Sequence, residues 1–402
     1  MATNERQRSG AKAPAKKTTA KQRGAKSKTK LVIFGVEVFI ILIMVGALYF
    51  VMRYTGEEDA PKVNVEFHEK PLEEKGVAEE VIQRKENDES AMNGYMNIAL
   101  FGVDAQNEKQ LLKNSRSDSI MVASINLDTG DIKLVSVYRD SYLNRGNDTY
   151  DKCNGAYSTG GAERAVKMLN MNLDLDITDF VTVGYAGLAE VIDGLGGVWI
   201  DVDEQELKHI NNYQYSILGN KAAKYITVPS DLNFTPDEYF MDYDLKTVKK
   251  SGYQLLDGLQ ATAYCRIRYV GNNDFQRTER QREVLKAIEA QAKQADLATL
   301  LKVFDAAKDD IYTSFNAETI ITELLPHIMD YKIAEEDEFP GRNKRESVNM
   351  GAKGSCEVPI DLEQSVIDLH KFLFDDDDYK VSNTVKEIKN QIEADASKYR
   401  RN

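Results

Sequence analysis

Cysteine and histidine are scarce in this chain. Its 402 residues include three cysteines, Cys153, Cys265 and Cys356, with no CxxC pair and no metal-ligand spacing. So low a count does not describe a disulfide-built scaffold or a cysteine-built zinc site. Cys265, between Tyr264 and Arg266, reads as a small apolar residue facing the core. The four histidines, His68, His209, His327 and His370, are scattered and support neither a histidine zinc site nor a histidine-based nucleophile system. No internal repeat is evident. The first thirty residues carry no helix-turn-helix pattern, so their basic charge has no means of reading bases, and nucleic acid is not the expected partner.

Charge is nearly absent from one window and lopsided around it. Residues 31–52, "LVIFGVEVFIILIMVGALYFVM", hold a single charge, Glu37. That length spans a bilayer core as a helix. Residues 1–30 contain ten Lys or Arg against one acid, Glu5, a balance of +9. The whole chain is −13, so the other 372 residues carry −22 (−13 less +9). A basic flank before the apolar window predicts a cytoplasmic tail over 1–30, a signal anchor over 31–53 and an exported remainder. A cleaved signal peptide would end in a small-x-small site, and "LYFVMRY" stands there instead. Glu37 lies within two turns of the cytoplasmic end and can reach the interface.

Residues 54–94 are charged and punctuated by Gly56, Pro61, Pro71 and Gly76. They read as an extracytoplasmic stalk, with a short helix near 77–86. At "YMNIALFGVD", 95–104, a near-continuous apolar run predicts a strand buried on both faces. "SDSIMVASINLDTGDIKLVSVYRD" then reads as a β-hairpin turning at Asp128-Thr129-Gly130. Helical spacing follows in "GGAERAVKMLNMNL", a strand in "FVTVGY", and a helix stopped by glycines before another strand in "AGLAEVIDGLGGVWIDVD". The fold class expected is α/β (α+β), a mixed central sheet with helices on both faces. Residues 205–250 read as a surface excursion with an aromatic cluster (Tyr213, Tyr215, Tyr225, Phe234, Tyr239, Phe240, Tyr243), or as a substrate lid. From 282 onward helices are expected to dominate, with 291–402 a helical extension and "DDDD", 375–378, a solvated charge run.

Against the acidic background, "YCRIRYVGNNDFQRTERQ", 264–281, gathers four arginines. Taken as a strand, "ATAYCRIRYV" turns Ala263, Cys265, Ile267 and Tyr269 to the core. Arg266 and Arg268 then share the opposite face, about 7 Å apart, a spacing that suits two neighbouring phosphates. "NND" supplies a cap for a following helix, on which Arg277, Gln281, Val284, Leu285 and Ile288 share one side while Arg282 points away. An inward-turned arginine needs a charged partner, either a protein acid or an anionic ligand.

Folding the hairpin at 128–129 brings Asp118 opposite Arg139 at its open end, with Arg116 and Asp140 beside them. Asp104 ends the preceding strand, where α/β sheets place functional side chains. Either Asp118 and Arg139 form a structural ion pair, or Asp104 and Asp118 hold a divalent cation ringed by arginines. Arginines with a Mg²⁺-type ion describe a pyrophosphate site.

The blocks "NIALFGVD", "SRSDSIMVASIN", "LVSVYRDSYL", "DKCNGAYSTGG", "VIDGLGGVWIDV" and "YCRIRYVGNNDFQRTERQREVL" resemble, in order and spacing, the LytR–CpsA–Psr (LCP) family of membrane-anchored glycopolymer transferases. The likeness covers about 95–290 and is most specific in its last block; "VYRD" departs from the family by lacking a proline before the arginine. It implies a catalytic domain over 95–290 with the polyprenyl chain in an apolar pocket. It implies transfer of a cell-wall polymer such as teichoic acid or capsule from a polyprenyl-pyrophosphate carrier to a peptidoglycan hydroxyl, as a phosphodiester. By the same resemblance Asp104 and Asp118 match the aspartates associated with Mg²⁺ or Mn²⁺. Arg116, Arg139, Arg266, Arg268, Arg277 and Gln281 match the pyrophosphate-binding set, with Asp104, Asp118, Arg139 and Arg268 nearest the chemistry. The alternatives are a polyprenyl-pyrophosphate hydrolase and a non-catalytic binder or regulator of lipid-linked polymer.

Overall fold

In this computed structural model the described residues are 76–105, 111–218, 246–268, 270, 274–292, 310–315 and 332–400, with scattered positions between 294 and 307. The basic tail, the expected anchor over 31–53 and most of the expected stalk lie outside them. Among the described residues no helix is long and apolar enough to cross a membrane.

The short helix expected near 77–86 is α1, Glu79–Glu86. Glu79 and Glu80 open it and Arg84 and Lys85 close it, as the helix dipole favours. Val81 on α1 and Met92 beyond it are buried in the main core. This end of the expected stalk is therefore part of the domain.

β1, Tyr95–Val103, is the apolar strand foreseen at 95–104. β2, Ser117–Asn126, and β3, Asp131–Val137, form the hairpin, with Met121 opposite Ser136 and Val122 opposite Val135, the register set by a turn at 128–129. β4, Tyr142–Asn144, and β5, Tyr150–Lys152, make a small ribbon before α2, Gly155–Leu173. Then come β6, Asp179–Gly184, α3, Tyr185–Gly194, β7, Val198–Val202, and α4, Glu204–Leu218. β8, Gly252–Leu256, pairs with β7 and leads into α5, Gly258–Cys265, and α6, Asp274–Ala292. β9, Ile311–Thr313, β10, Lys332–Phe339, β11, Arg345–Asn349, β12, Ser355–Pro359, α7, Leu362–Phe374, and α8, Asn383–Ala396, complete the chain.

The central sheet runs β10-β3-β2-β1-β6-β9. β1 is parallel to β6 and antiparallel to β2, so the sheet is mixed. On one face Ala99 and Val103 pack with Leu169 of α2, Leu369 of α7 and Ile388 of α8. On the other, Ile98, Met121 and Val181 meet Phe315 and the flank of Leu285 on α6. Beside that face, α3, α4, α5 and α6 and the β7–β8 ribbon share a separate core containing Ile192, Ile210, Ala263 and Val284. Helices on both faces are what a twice-buried β1 requires.

Three expectations need correction. The segment 291–402 is not a helical extension, because β9 and β10 are the two edge strands of the central sheet. β10, "KIAEEDEF", buries Ile333 and Phe339, exposes Glu335 and Asp337, and pairs the half-buried Glu336 with Lys286 and Glu338 with Arg345, the charged character of an edge strand. Residues 204–218 are helical rather than a surface excursion, and Tyr213 is buried in the core; Tyr225, Phe234, Tyr239, Phe240 and Tyr243 lie outside the described residues. "ATAYC" is the end of α5 and not a strand. The acidic run at 375–378 is solvated as expected, with Asp375 paired to Lys133 and Asp377 to Lys371.

Candidate functional site

A β-bulge aims the central carboxylate. Gly102 pairs with Ser119 but Val103 pairs with Ser117, so Asp118 is the extra residue with no partner across the ladder. A bulge re-aims the side chain it carries. Gly102 permits the close crossing here, since a Cβ on it would come within 3.0 Å of Ser119 Cβ. Arg139 Nη1 donates to Asp118 Oδ1 at 2.6 Å, the contact expected from the hairpin register. Arg139 Nε also lies 3.6 Å from Asp140 Oδ2, and Lys152 Nζ 2.9 Å from Asp140 Oδ1.

The arginines of 264–281 reach Asp118 by a route the strand reading did not foresee. Asp257 and Gln260 form a capping box: Gln260 N–H donates to Asp257 Oδ1 at 2.9 Å, and Asp257 N–H to Gln260 Oε1 at 3.0 Å. That box starts α5, and every residue from Gly258 to Cys265 is buried. Gly258 meets α3 so closely that a Cβ would lie 2.1 Å from Ala189 O. Arg266 is the helix C-cap, and its guanidinium stands 5.0 Å from the Tyr185 ring centroid and 5.9 Å from that of Tyr213. Arg266 and Arg268 therefore do not share a strand face. Arg268 lies beyond the helix end, with Nη2 3.6 Å from Asp118 Oδ2.

α6 supplies the third guanidinium. The cap residues proposed for it, Asn272 and Asn273, lie outside the described residues, but the face reading holds. Arg277 is buried, with Nη1 3.8 Å from Asp118 Oδ2 and Nη2 donating to Asp118 O at 3.4 Å. Three arginines thus converge on one carboxylate. Burial alone would raise the Asp118 pKa, but the charges of Arg139, Arg277 and Arg268 hold it below the usual carboxylate range. Arg282, expected to point away, is half-buried and donates through Nη1 to Ser136 Oγ at 3.0 Å. That expectation is corrected: α6 lies on the hairpin, so its second face is also covered.

Beside this cluster runs an apolar cavity of about 120 Å³ between the sheet and α3, α5 and α6. Leu100, Met121, Val183, Leu188, Val284 and Ile288 line it, and Ser119, Tyr185 and Gln281 are its polar members. Cys265 lines it too, and burial pushes its thiol up to about 12, so it serves as an apolar wall. Burial also raises the Tyr185 hydroxyl, and the nearby Asp118 charge adds to this, with Asp104 acting in the same sense.

Asp104 follows β1, and its N–H donates to Arg116 O at 3.3 Å, which sets it next to the bulge; Arg116 itself is exposed. The two carboxylates suit a hard cation by donor type, and both act on the Tyr185 hydroxyl. Among the described residues no group of three His, Cys, Asp or Glu could enclose a metal. A cation held by Asp104 and Asp118 needs further oxygen ligands from a bound anion or water.

Sequence reasoning overlooked two site members. Tyr185 opens α3 immediately after β6 and carries Arg266 on its ring, and Ser119 follows the bulged Asp118. The end of β6 was a usable signal for the first, because it lies beside the end of the parallel strand β1.

Among relatives, the polyisoprenyl-teichoic acid–peptidoglycan teichoic acid transferase TagU of Enterococcus faecalis is 26% identical over 267 residues, covering 65% of this chain and 76% of its own. The protein of the same name from Bacillus cereus is 27% identical over 322 residues, covering 78% of this chain and 88% of its own. A crystal structure of a Streptococcus agalactiae protein superposes with a TM-score of 0.53 at 21% identity, covering 72% of this chain and 90% of that one, which supports the fold. The family profile matches residues 63–346, which reaches past the 95–290 catalytic span expected from motifs and takes in β9, β10 and the start of β11. On that match, the chain belongs to the LytR_cpsA_psr family.

Proposed function

We propose that this chain moves a glycopolymer, with teichoic acid the first candidate, from a polyprenyl-pyrophosphate carrier to a peptidoglycan hydroxyl as a phosphodiester. One observation carries the reading: three guanidiniums converge on Asp118 beside an apolar cavity lined by β1, β2, β6 and α6, whose wall includes Ser119, next to Asp118, and Gln281, one turn from Arg277. Fixed positive charge beside an apolar slot matches a pyrophosphate joined to an isoprenoid chain. The relatives named as teichoic acid transferases agree with it.

Without substrate, Asp118 neutralises Arg139, Arg268 and Arg277. In the bound state the pyrophosphate oxygens take over those donors, and each Arg fork can donate to two of them. The acceptor hydroxyl attacks the phosphorus that bears the glycopolymer. A new P–O bond forms, the P–O–P bridge breaks, and polyprenyl phosphate leaves. The charge gathering on the bridging and terminal oxygens is stabilised by guanidiniums already in place, which is the main source of rate in phosphoryl transfer. The hydroxyl proton goes to a carboxylate. Asp104 and Asp118 are the two carboxylates at the site that can take it. A bound Mg²⁺ or Mn²⁺ on Asp104 and Asp118 would add neutralisation at the phosphates. Gln281 and Arg266 sit at the cavity wall and above Tyr185, placed to hold the outer phosphate. Arg116, exposed beside Asp104, completes the basic rim.

The apolar window 31–52 and its basic flank support a single-pass anchor with this site outside the cytoplasm, where carrier and peptidoglycan meet. The test is incubation of the full chain in detergent with polyprenyl-pyrophosphate-linked teichoic acid, Mg²⁺ and peptidoglycan oligomers, with products read by mass. Phosphodiester-linked product is expected. Phosphate-ended free polymer would establish hydrolysis, and unchanged substrate that still co-purifies with the protein would establish binding alone.

A further inference from the structure

Arg280 is about one turn from Arg277 on α6, yet its guanidinium meets Glu206 and not Asp118. It is 4% exposed, and its Nε donates to Glu206 Oε1 at 2.6 Å. Its other two nitrogens go to main-chain carbonyls, Nη1 to Ile267 O and Nη2 to Val270 O, both at 3.2 Å. Glu206 is occupied on both oxygens. Oε2 accepts from Asp203 N–H at 3.0 Å, and Glu206 N–H donates to Asp203 Oδ1 at 2.7 Å, the reciprocal cap that begins α4. One planar group therefore ties α6, the start of α4 and the turn after α5.

The turn is the part that matters. Ile267 and Val270 bracket Arg268, whose guanidinium reaches Asp118. Of the three arginines on Asp118, Arg268 is the most exposed, with 36% of its side chain open against 14% for Arg139 and 3% for Arg277. Packing fixes Arg277. Arg268 depends more on where its backbone is held. A buried ion pair is weak evidence for stability, since well-packed apolar residues of similar volume often do as well. What apolar residues cannot supply is the pair of donors to the two carbonyls.

We propose that Arg280, held by Glu206, is a positioning residue that sets Arg268 for the pyrophosphate. The ligand's identity rests on the transferase reading above, but the coupling of Arg280 to Arg268 does not. Arg280→Lys keeps the charge facing Glu206 and loses the fork, so the core stays paired while the turn loosens. Misplacing a charge-bearing group by about 1 Å costs up to about 100-fold in function.

The experiment is a double-mutant cycle on the full chain in detergent, with Arg280→Lys, Arg268→Ala and both together. Affinity for geranylgeranyl pyrophosphate is read by calorimetry, beside thermal unfolding. Arg280→Lys alone is expected to weaken binding about tenfold with little change in unfolding temperature. In the Arg268→Ala background its effect falls below about twofold, because the group it positions is gone. Should Arg280→Lys not fold, the paired change Glu206→Leu with Arg280→Met takes its place in the cycle, as it removes both charges together. Additive losses, or full affinity in a folded Arg280→Lys, overturn the inference. If Arg268→Ala alone binds as well as the parent, the pyrophosphate reading at Arg268 fails first and takes the inference with it.

Discussion

Arg139 and Asp118 face each other across the open end of the β2–β3 hairpin with 2.6 Å between Nη1 and Oδ1, beyond the last ladder pair at Met121 and Ser136. Of the two alternatives that the sequence leaves open, the contact is the ion pair. In the proposed reaction Asp118 occupies the arginines in the absence of substrate, and an incoming pyrophosphate would exchange with it.

That exchange can be measured. Asp118→Ala leaves Arg139, Arg268 and Arg277 facing one another, with Arg277 buried. Removing one side of a buried network costs about 3–5 kcal/mol, so unfolding temperature is expected to drop. Inorganic pyrophosphate then supplies the missing negative charge. Its stabilising shift is expected to be larger in Asp118→Ala than in the parent. Equal shifts would mean that the anion binds away from these arginines.

Arg268→Ala is expected to lower transfer by about 10²–10³ while the protein stays folded, because the side chain is partly open and the donor acts on developing charge. Arg268→Lys recovers part of that, as an ammonium keeps charge without the fork. Arg282→Ala tests the opposite case. Its bond to Ser136 Oγ is worth about 1 kcal/mol, so unfolding shifts slightly and transfer holds. Transfer kinetics and thermal unfolding on the same samples decide. Loss of transfer in Arg282→Ala with intact Arg268→Ala activity would reverse the assignment.

Hairpin, central strand and the inward face of α6 were legible because each rests on a short local rule, a turn centre or a periodicity. Asp118 opposite Arg139 followed from arithmetic on the turn. The bulge that frees Asp118 is a tertiary event between Gly102 and Val103, with no mark in composition. The arginine segment misled through accident: Ala263, Cys265 and Ile267 alternate with larger residues as in a strand, although every residue from Gly258 to Cys265 is buried and Asp257 with Gln260 spells a helix start. β9 and β10 were hidden for another reason. A three-residue strand carries no period, and four acids in "KIAEEDEF" leave no apolar alternation to mark a strand.

Acid sensitivity is expected far from the site. His370 is buried, stacks on Tyr379, and has Nε2 3.0 Å from Leu173 O. Burial depresses its pKa to about 3, with Arg84 adding in the same sense and the bond to Leu173 O opposing. The folded state refuses a proton that the unfolded chain accepts near pH 6.5. Stability from this group is therefore complete above about 6.5 and falls by about 1.4 kcal/mol per pH unit below it, toward pH 3. Asp174, raised by burial, acts in the opposite sense, so the comparison of parent with His370→Phe isolates the histidine. Between pH 6.5 and 5 the parent is expected to lose more stability than the variant. Parallel curves would remove His370 as the cause.

The cavity makes the sharpest demand on the lipid. Val284 is buried on α6 and faces the space beside Leu100, Met121 and Val183. Val284→Phe extends a ring into that space, leaving the guanidiniums on Asp118 untouched. An isoprenoid chain then loses room, and each methylene kept out costs about 0.8 kcal/mol. Two of them amount to a loss of just over tenfold in affinity. Geranylgeranyl pyrophosphate is expected to bind at least about tenfold more weakly, whereas inorganic pyrophosphate, which uses only the arginines, keeps its affinity. Calorimetry with both ligands on parent and variant reads the difference directly, with unfolding temperature as the check on packing. If both ligands weaken together, the ring has displaced α6 and its arginine. If neither changes, the isoprenoid chain lies outside this cavity and the pairing of apolar slot with pyrophosphate cluster is wrong.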